Sequence, residues 1–159
     1  MSHPNVVAVE TALRAAGAAG RVQVLPAAVH TAVAAAEALG VGLGQIANSL
    51  IFAAAFGGEP EPLLVLTSGA HRVDTTRVAD LLGASAVRRA TPEFVRAHTG
   101  QPIGGVAPVG HPAPVRTLVD TALAGYGTIW AAGGIPQAIF PTTYDELLRL
   151  TGGSPADVA

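Results

Sequence analysis

Between Gly100 and Pro114 eight of the fifteen residues are glycine or proline, four of each. Proline fixes φ and withholds a backbone donor, while glycine enters conformations other residues avoid, so no regular helix or strand carries both at this density. The stretch is therefore a shaped loop, and the regular elements must lie before Gly100 or after Pro114. Within it, Pro102-Ile103-Gly104-Gly105-Val106-Ala107-Pro108-Val109-Gly110 sets paired glycines between prolines. Such a segment either cradles an anion or oxyanion with its backbone or serves as a structural loop between strand layers; long ordered loops are often functional.

The flanking regions divide at capping signals. Pro4 opens a helix whose Val6, Val9, Leu13 and Ala16 recur at helical spacing up to Gly17 and Gly20. Val22–Leu25 is a short strand, and Thr31 caps a helix that runs to Leu39 and ends at Gly40. The apolar runs Ser49–Ala55 and Leu63–Thr67, separated by a turn-rich segment, predict a hairpin of central strands. Asp74 caps a helix closed by Gly83, Ala86–Arg89 returns as a strand, and Thr91-Pro92-Glu93 starts another helix. After the loop, Val115–Val119, Thr128–Ala132 and Ala138–Phe140 are strands. A capping box, Thr143 with Glu146, then begins a last helix, which Gly152-Gly153 ends, leaving a frayed tail. Strands mixed with helices without strict βαβ alternation, no linker and no internal repeat predict one α+β domain over residues 1–159.

Composition removes several classes of function. All nine basic residues are arginine, so no lysine-based chemistry is open to the chain. A formal net charge of −2 withholds the basic field that tight phosphate-led binding requires, so no DNA-binding role is expected and any RNA contact must be local. The sequence has no cysteine, and its opening Met1-Ser2-His3-Pro4 shows no basic stretch before an apolar block. Positive mean hydropathy comes largely from alanine, and no apolar run nears the roughly 20 residues a bilayer span needs. A cytoplasmic protein without membrane contact is the expectation.

Other arrangements suggest chemistry and have plainer explanations. Gly40-Val41-Gly42-Leu43-Gly44 misses the G-x-G-x-x-G spacing and follows a helix, so a helix end followed by a turn explains it better than a nucleotide loop. Ser68, His71 and Asp74 hold the letters of a catalytic triad within seven residues, but triads converge from distant segments; a turn and an N-cap account for Ser68 and Asp74. His71 remains a candidate for a pocket. The five histidines lack H-E-x-x-H spacing, so no metal is expected.

Taken in order, six segments resemble the YbaK-like, prolyl-tRNA-synthetase-associated domain family. They are His30-Thr31-Ala32, Gln45–Phe52, Ser68–Asp74, Ile103–Gly110, Ile129–Gly134 and Asp145–Gly152. The resemblance covers nearly the whole chain. It implies a mixed, mostly antiparallel, barrel-like sheet flanked by helices, and hydrolysis of the ester of tRNA mischarged with a small amino acid. It further implies that Gly104–Pro108 is the family's G-x-x-x-P loop, whose backbone meets the terminal adenosine and the ester. A water is then the nucleophile, helped by the ribose hydroxyl, and no cofactor is needed.

Asn48 stands where most active members carry lysine, and residues 136–138 stand where some place a pocket histidine. The resulting expectation gives the chemistry to Asn48 and the backbone of Gly104 and Gly105, which polarise the ester carbonyl. His30, Ser49, Ser68, His71, Val106, Pro108 and Gly133 would bind substrate. The partners implied are the acceptor end of a mischarged tRNA and an aminoacyl-tRNA synthetase. The alternative is a binding module for aminoacyl-adenosine or tRNA ends that lost catalysis with the lysine.

Overall fold

Side chains that cap helices set most of the boundaries in this computed structural model, which describes residues 3–159. Met1 and Ser2, on which the expectation of no leader partly rests, lie outside the described residues. Thr31, Asp74, Thr91 and Thr143 each accept a hydrogen bond from a backbone N–H three residues on, at the starts of α2 (Ala32–Leu39), α3 (Thr75–Leu82), α4 (Pro92–Thr99) and α5 (Tyr144–Thr151). Gly40, Gly83, Gly100 and Gly152 end these helices in the left-handed conformation, with φ between 62° and 71°. The first helix, α1 (Pro4–Ala15), has proline in its first turn, and the His3 side chain accepts from Asn5 N–H.

Eight strands form one mixed sheet: β1 (Gln23–Val24), β2 (Ile46–Ala55), β3 (Glu61–Ser68), β4 (Ala86–Arg89), β5 (Arg116–Asp120), β6 (Ile129–Ala132), β7 (Ala138–Thr142) and β8 (Ser154–Ala156). Their order is β1-β7-β6-β2-β3-β5-β8, with β4 also on β2. The expected hairpin is present at the centre as the antiparallel pair β2 and β3. The sheet does not close. Its outer strands β1 and β8 pair only with β7 and β5, and an open sheet replaces the barrel-like expectation. The expected frayed tail is also corrected. Ser154–Ala156 pairs in parallel with β5, and Val158 is fully buried, so the end of the chain is held by packing that its glycines did not announce.

Alternation along β2 sends Ala47 and Ile51 to one face and Phe52 and Ala54 to the other. The first face packs on Val9 and Leu13 of α1, Val95 of α4 and Leu147 of α5; the second packs on Val78 and Ala79 of α3. Helix α2 covers Ile46 and Trp130 through Ala35 and Ala36. Among the described residues no helix is long and apolar enough to cross a membrane.

One feature of the sheet shapes the rest. Strand β2 gives one edge wholly to β3 and divides the other, pairing in parallel with β6 at Ile46 and Ala47 and antiparallel with β4 from Phe52 to Ala55. Residues 48–51 lie where those two neighbours part.

Candidate active site

A cavity of about 260 Å3 opens at this split. It is lined from one face of β2 by Ser49 and Ile51 and from the other by Asn48, Leu50 and Phe52, so it sits in the gap between β6 and β4 rather than on either face. Its size lies just under the roughly 300–1,000 Å3 of drug-sized sites, which suits one small group with an open side toward a larger molecule. Of the residues the sequence nominates, His30, Asn48, Ser49, Gly104 and Val106 line it, drawn from three distant stretches of chain. Ser68, His71, Gly105, Pro108 and Gly133 are not among the lining residues.

Two side chains of β2 at the cavity have polar groups without a protein partner among the described residues. No hydrogen bond from protein reaches the Asn48 amide among the described residues, and the Ser49 hydroxyl is a buried side-chain oxygen without a partner. The Thr31 hydroxyl, by contrast, is occupied as the cap of α2. Most of the remaining wall is apolar, including Val95 and Ile103. Arg89 and Trp130 also line the cavity without having been nominated, as does Pro136 from the stretch 136–138 noted in the sequence. Arg89 is exposed and forms no salt bridge among the described residues; the pair Arg88-Arg89 in a lysine-free chain was the available signal.

The Gly/Pro-rich loop reaches the cavity because it is braced from inside. Gln101, only 1% exposed, accepts from Ala107 N–H at 2.7 Å and donates to the Val109 carbonyl at 3.3 Å. His111 Nε2 lies 2.7 Å from the Ala107 carbonyl, so both backbone groups of Ala107 are held. That bond raises the His111 pKa, but burial is the larger effect and holds it below the ordinary histidine value. Gly104 sits at φ +87°, and a side chain there would press on His30 Nδ1 at 3.2 Å. Gly105 is closed in by backbone, since a Cβ would lie 2.5 Å from the Ile135 carbonyl carbon, and its N–H is already donated to the Pro102 carbonyl at 3.0 Å. Gly105 therefore shapes the loop and has no free donor for an oxyanion.

The residues with triad letters form a separate corner. Asp74 caps α3. Asp120, 1% exposed, takes hydrogen bonds from Ser68 N–H (3.0 Å), Thr67 Oγ1 (3.2 Å) and Ala122 N–H (3.0 Å), and His71 Nδ1 lies 2.9 Å from it. Ser68 Oγ donates to the Gly44 carbonyl at 3.0 Å. The buried groups are engaged, with His71 bound through Nδ1, so the corner ties the ends of β3 and β5 to the turn before α3. Gly133 donates to the Ala138 carbonyl and packs against Val22, and Pro108 is buried in the loop. The histidines are spread: His3 caps α1, His98 rests on Phe94, and His30, His71 and His111 stand at the three places above.

Comparison with known proteins gives this arrangement a context. In sequence the chain is 34% identical over 108 residues to the proline–tRNA ligase of Nitratidesulfovibrio vulgaris strain DP4, covering 68% of this chain and 18% of the ligase. It is 37% identical over 97 residues to that of Limosilactobacillus fermentum, covering 60% of this chain and 17% of the ligase. The chain thus spans less than a fifth of these ligases. It is also 32% identical to protein YwhH of Bacillus subtilis, covering 71% of this chain and 69% of that one. Among solved structures it matches a candidate trans-editing enzyme for prolyl tRNA synthetase, with 42% identity, a TM-score of 0.88, and 99% and 98% of the two chains covered. It also matches the protein APE2540, with 30% identity, a TM-score of 0.86, and 95% and 98% covered. The family model of the aminoacyl-tRNA editing domain matches residues 26–150, which hold the divided strand, the braced loop and the cavity between them, and the chain belongs to that family.

Proposed function

We propose that this protein is an aminoacyl-tRNA deacylase that acts in trans, in the cytoplasm, on tRNA mischarged with a small amino acid. The observation that carries the reading is the Asn48 amide, free of protein partners and facing a cavity of about 260 Å3 in a family built for editing. The aminoacyl group enters the split and the terminal adenosine lies against the loop at Gly104. Asn48 and the backbone of Gly104 polarise the ester carbonyl. A water adds to the carbonyl carbon, the bond to the ribose oxygen breaks, and that oxygen takes a proton, leaving free amino acid and uncharged tRNA. Larger amino acids are refused because steric exclusion is a stronger filter than a missing methylene. Arg89 at the rim is placed for a phosphate of the acceptor end, which matches a protein whose charge offers no broad attraction to RNA. A synthetase partner would supply the remaining affinity.

The test is deacylation of tRNAs charged with Ala, Ser, Cys and Thr by the wild type, Asn48→Ala, Asn48→Lys and Arg89→Ala. Release from at least one substrate is expected. A neutral hydrogen bond is worth about 0.5–1.5 kcal/mol, so Asn48→Ala should slow release by up to about tenfold. Arg89→Ala should raise KM and leave kcat nearly unchanged. No release from any substrate by the wild type overturns the proposal; a large gain in Asn48→Lys from zero identifies instead a binding module that lost its catalytic lysine.

A further inference from the structure

The hydrogen-bond phase of β2 identifies backbone groups with no partner among the described residues. Gly69 N–H bonds to the Ile46 carbonyl at 2.8 Å, which makes Ala47 and Ser68 a non-hydrogen-bonded pair and alternates the ladder from there. Even-numbered residues of β2 therefore bond to β3, and odd-numbered ones turn their N–H and C=O to the divided edge. On that edge Ala47 is paired with β6, the Ile51 carbonyl accepts from Ala90 N–H at 3.4 Å, and the Ala55 carbonyl accepts from Ser85 N–H at 2.8 Å. Ser49 alone stands between the two neighbours with both backbone groups directed into the gap, and the N–H of Ile51 shares it. At the same residue lies the buried hydroxyl without a partner.

Interior backbone groups are almost always paired, and a side-chain oxygen left buried without a bond calls for an explanation such as a bound ligand. A group that satisfied Ser49 would need a donor for its carbonyl and an acceptor for its N–H, spaced as they are in a strand residue. An α-aminoacyl ester carries that pair, the ammonium and the ester carbonyl on either side of one tetrahedral carbon. Building on the deacylase reading, we propose that the aminoacyl group completes the sheet as a single missing residue opposite Ser49. Its ammonium donates to the Ser49 carbonyl, and its ester carbonyl accepts from Ser49 N–H, which joins Asn48 as a donor to the developing oxyanion. The site thereby recognises the free α-amino group, a feature that every aminoacyl ester shares and that other ribose esters lack.

The experiment uses two stable amide analogues, 3′-(L-alanylamino)-3′-deoxyadenosine and the lactyl counterpart in which hydroxyl replaces ammonium. Binding to the full chain is followed in 1H–15N spectra, and alanyl- and lactyl-tRNA deacylation is measured on the same preparation. The expected result is a downfield shift and slowed exchange of the Ser49 and Ile51 amide protons with the alanyl analogue. About tenfold weaker binding of the lactyl one should follow, since a charge-assisted bond is replaced by a neutral one. Deacylation should fall by a similar factor. Hydrolysis of both esters at equal rates, or binding that leaves those two amides unmoved, overturns the inference while the deacylase reading stands. Amide shifts with no hydrolysis of either tRNA support the inference and overturn the deacylase reading.

Discussion

The molecule has two polar clusters within a short span of β2 and β3, and they have opposite bonding states. Around Asp120 the buried groups are used: Ser68 on Gly44 and Asp120, Thr67 on Asp120, and His71 Nδ1 on Asp120. At the split in the sheet, Asn48 and Ser49 have side-chain groups with no protein partner. Saturated groups hold the fold and gain nothing from a ligand; unsaturated ones keep their hydrogen-bonding capacity for one. Missing partners, more than reactive residue types, are what set the cavity apart from the Asp120 corner.

The largest effect that would test this division is on stability. Asp120→Ala leaves the buried Ser68 N–H without its acceptor, while the Thr67 hydroxyl keeps the Ser68 carbonyl, so roughly 1–3 kcal/mol of unfolding free energy should be lost. Denaturant unfolding measures it, and deacylation per folded molecule should hold. A stable variant with abolished activity would break the comparison by moving the Asp120 corner into the site. Asn48→Ala should do the reverse, slowing deacylation by up to about tenfold with the melting temperature unchanged.

Ser49→Ala sharpens the contrast further. Removing an unpartnered buried hydroxyl should raise stability by up to about 1 kcal/mol in the ligand-free protein, read from the denaturation midpoint. A loss of the same size would show that Ser49 belongs with the satisfied groups. The smallest effect concerns His111 on the braced loop. Its folded pKa lies below the ordinary 6.5 because it is buried, so the unfolded chain takes up the proton first as pH falls. Its contribution is whole above pH 6.5 and is lost as pH drops through the folded value. Stability measured at pH 7.5 and 5.5 should therefore fall less in His111→Gln than in the wild type.

Much of the fold was legible because its boundaries are local. A Thr or Asp cap followed by a left-handed glycine fixes four of the helices without reference to anything distant. Strand β8 was not legible: Ser154-Pro155-Ala156 has no strand-forming residue and takes its conformation from β5. In the site, Asn48 and Gly104 were found through the motifs around them. The split was not, since it depends on β6 and β4 landing on the same edge of β2, and no single stretch encodes that. Gln101 escaped notice because its role appears only when the loop closes around it, and Ser68 and His71 misled because their partner Asp120 lies about fifty residues further on. The Thr143 box was half right: Thr143 accepts from Glu146 N–H, while the Glu146 carboxylate takes bonds from Thr142 Oγ1 and Ala19 N–H.

The divided edge of β2 also has a consequence in time. Its partners β3 and β4 follow it more closely in the chain, whereas Ile46 and Ala47 must wait for Trp130 and Ala131, more than half the chain's length further on. Short loops close at lower entropic cost than long ones, so the three strands β3, β2 and β4, with β2 in the middle, should form first and β6 dock late. The cavity would then be among the last features to appear during refolding. Pulse-labelled hydrogen exchange should find the amides of β2 and β3 protected before those of β6, and ligand binding should return only with the slower phase.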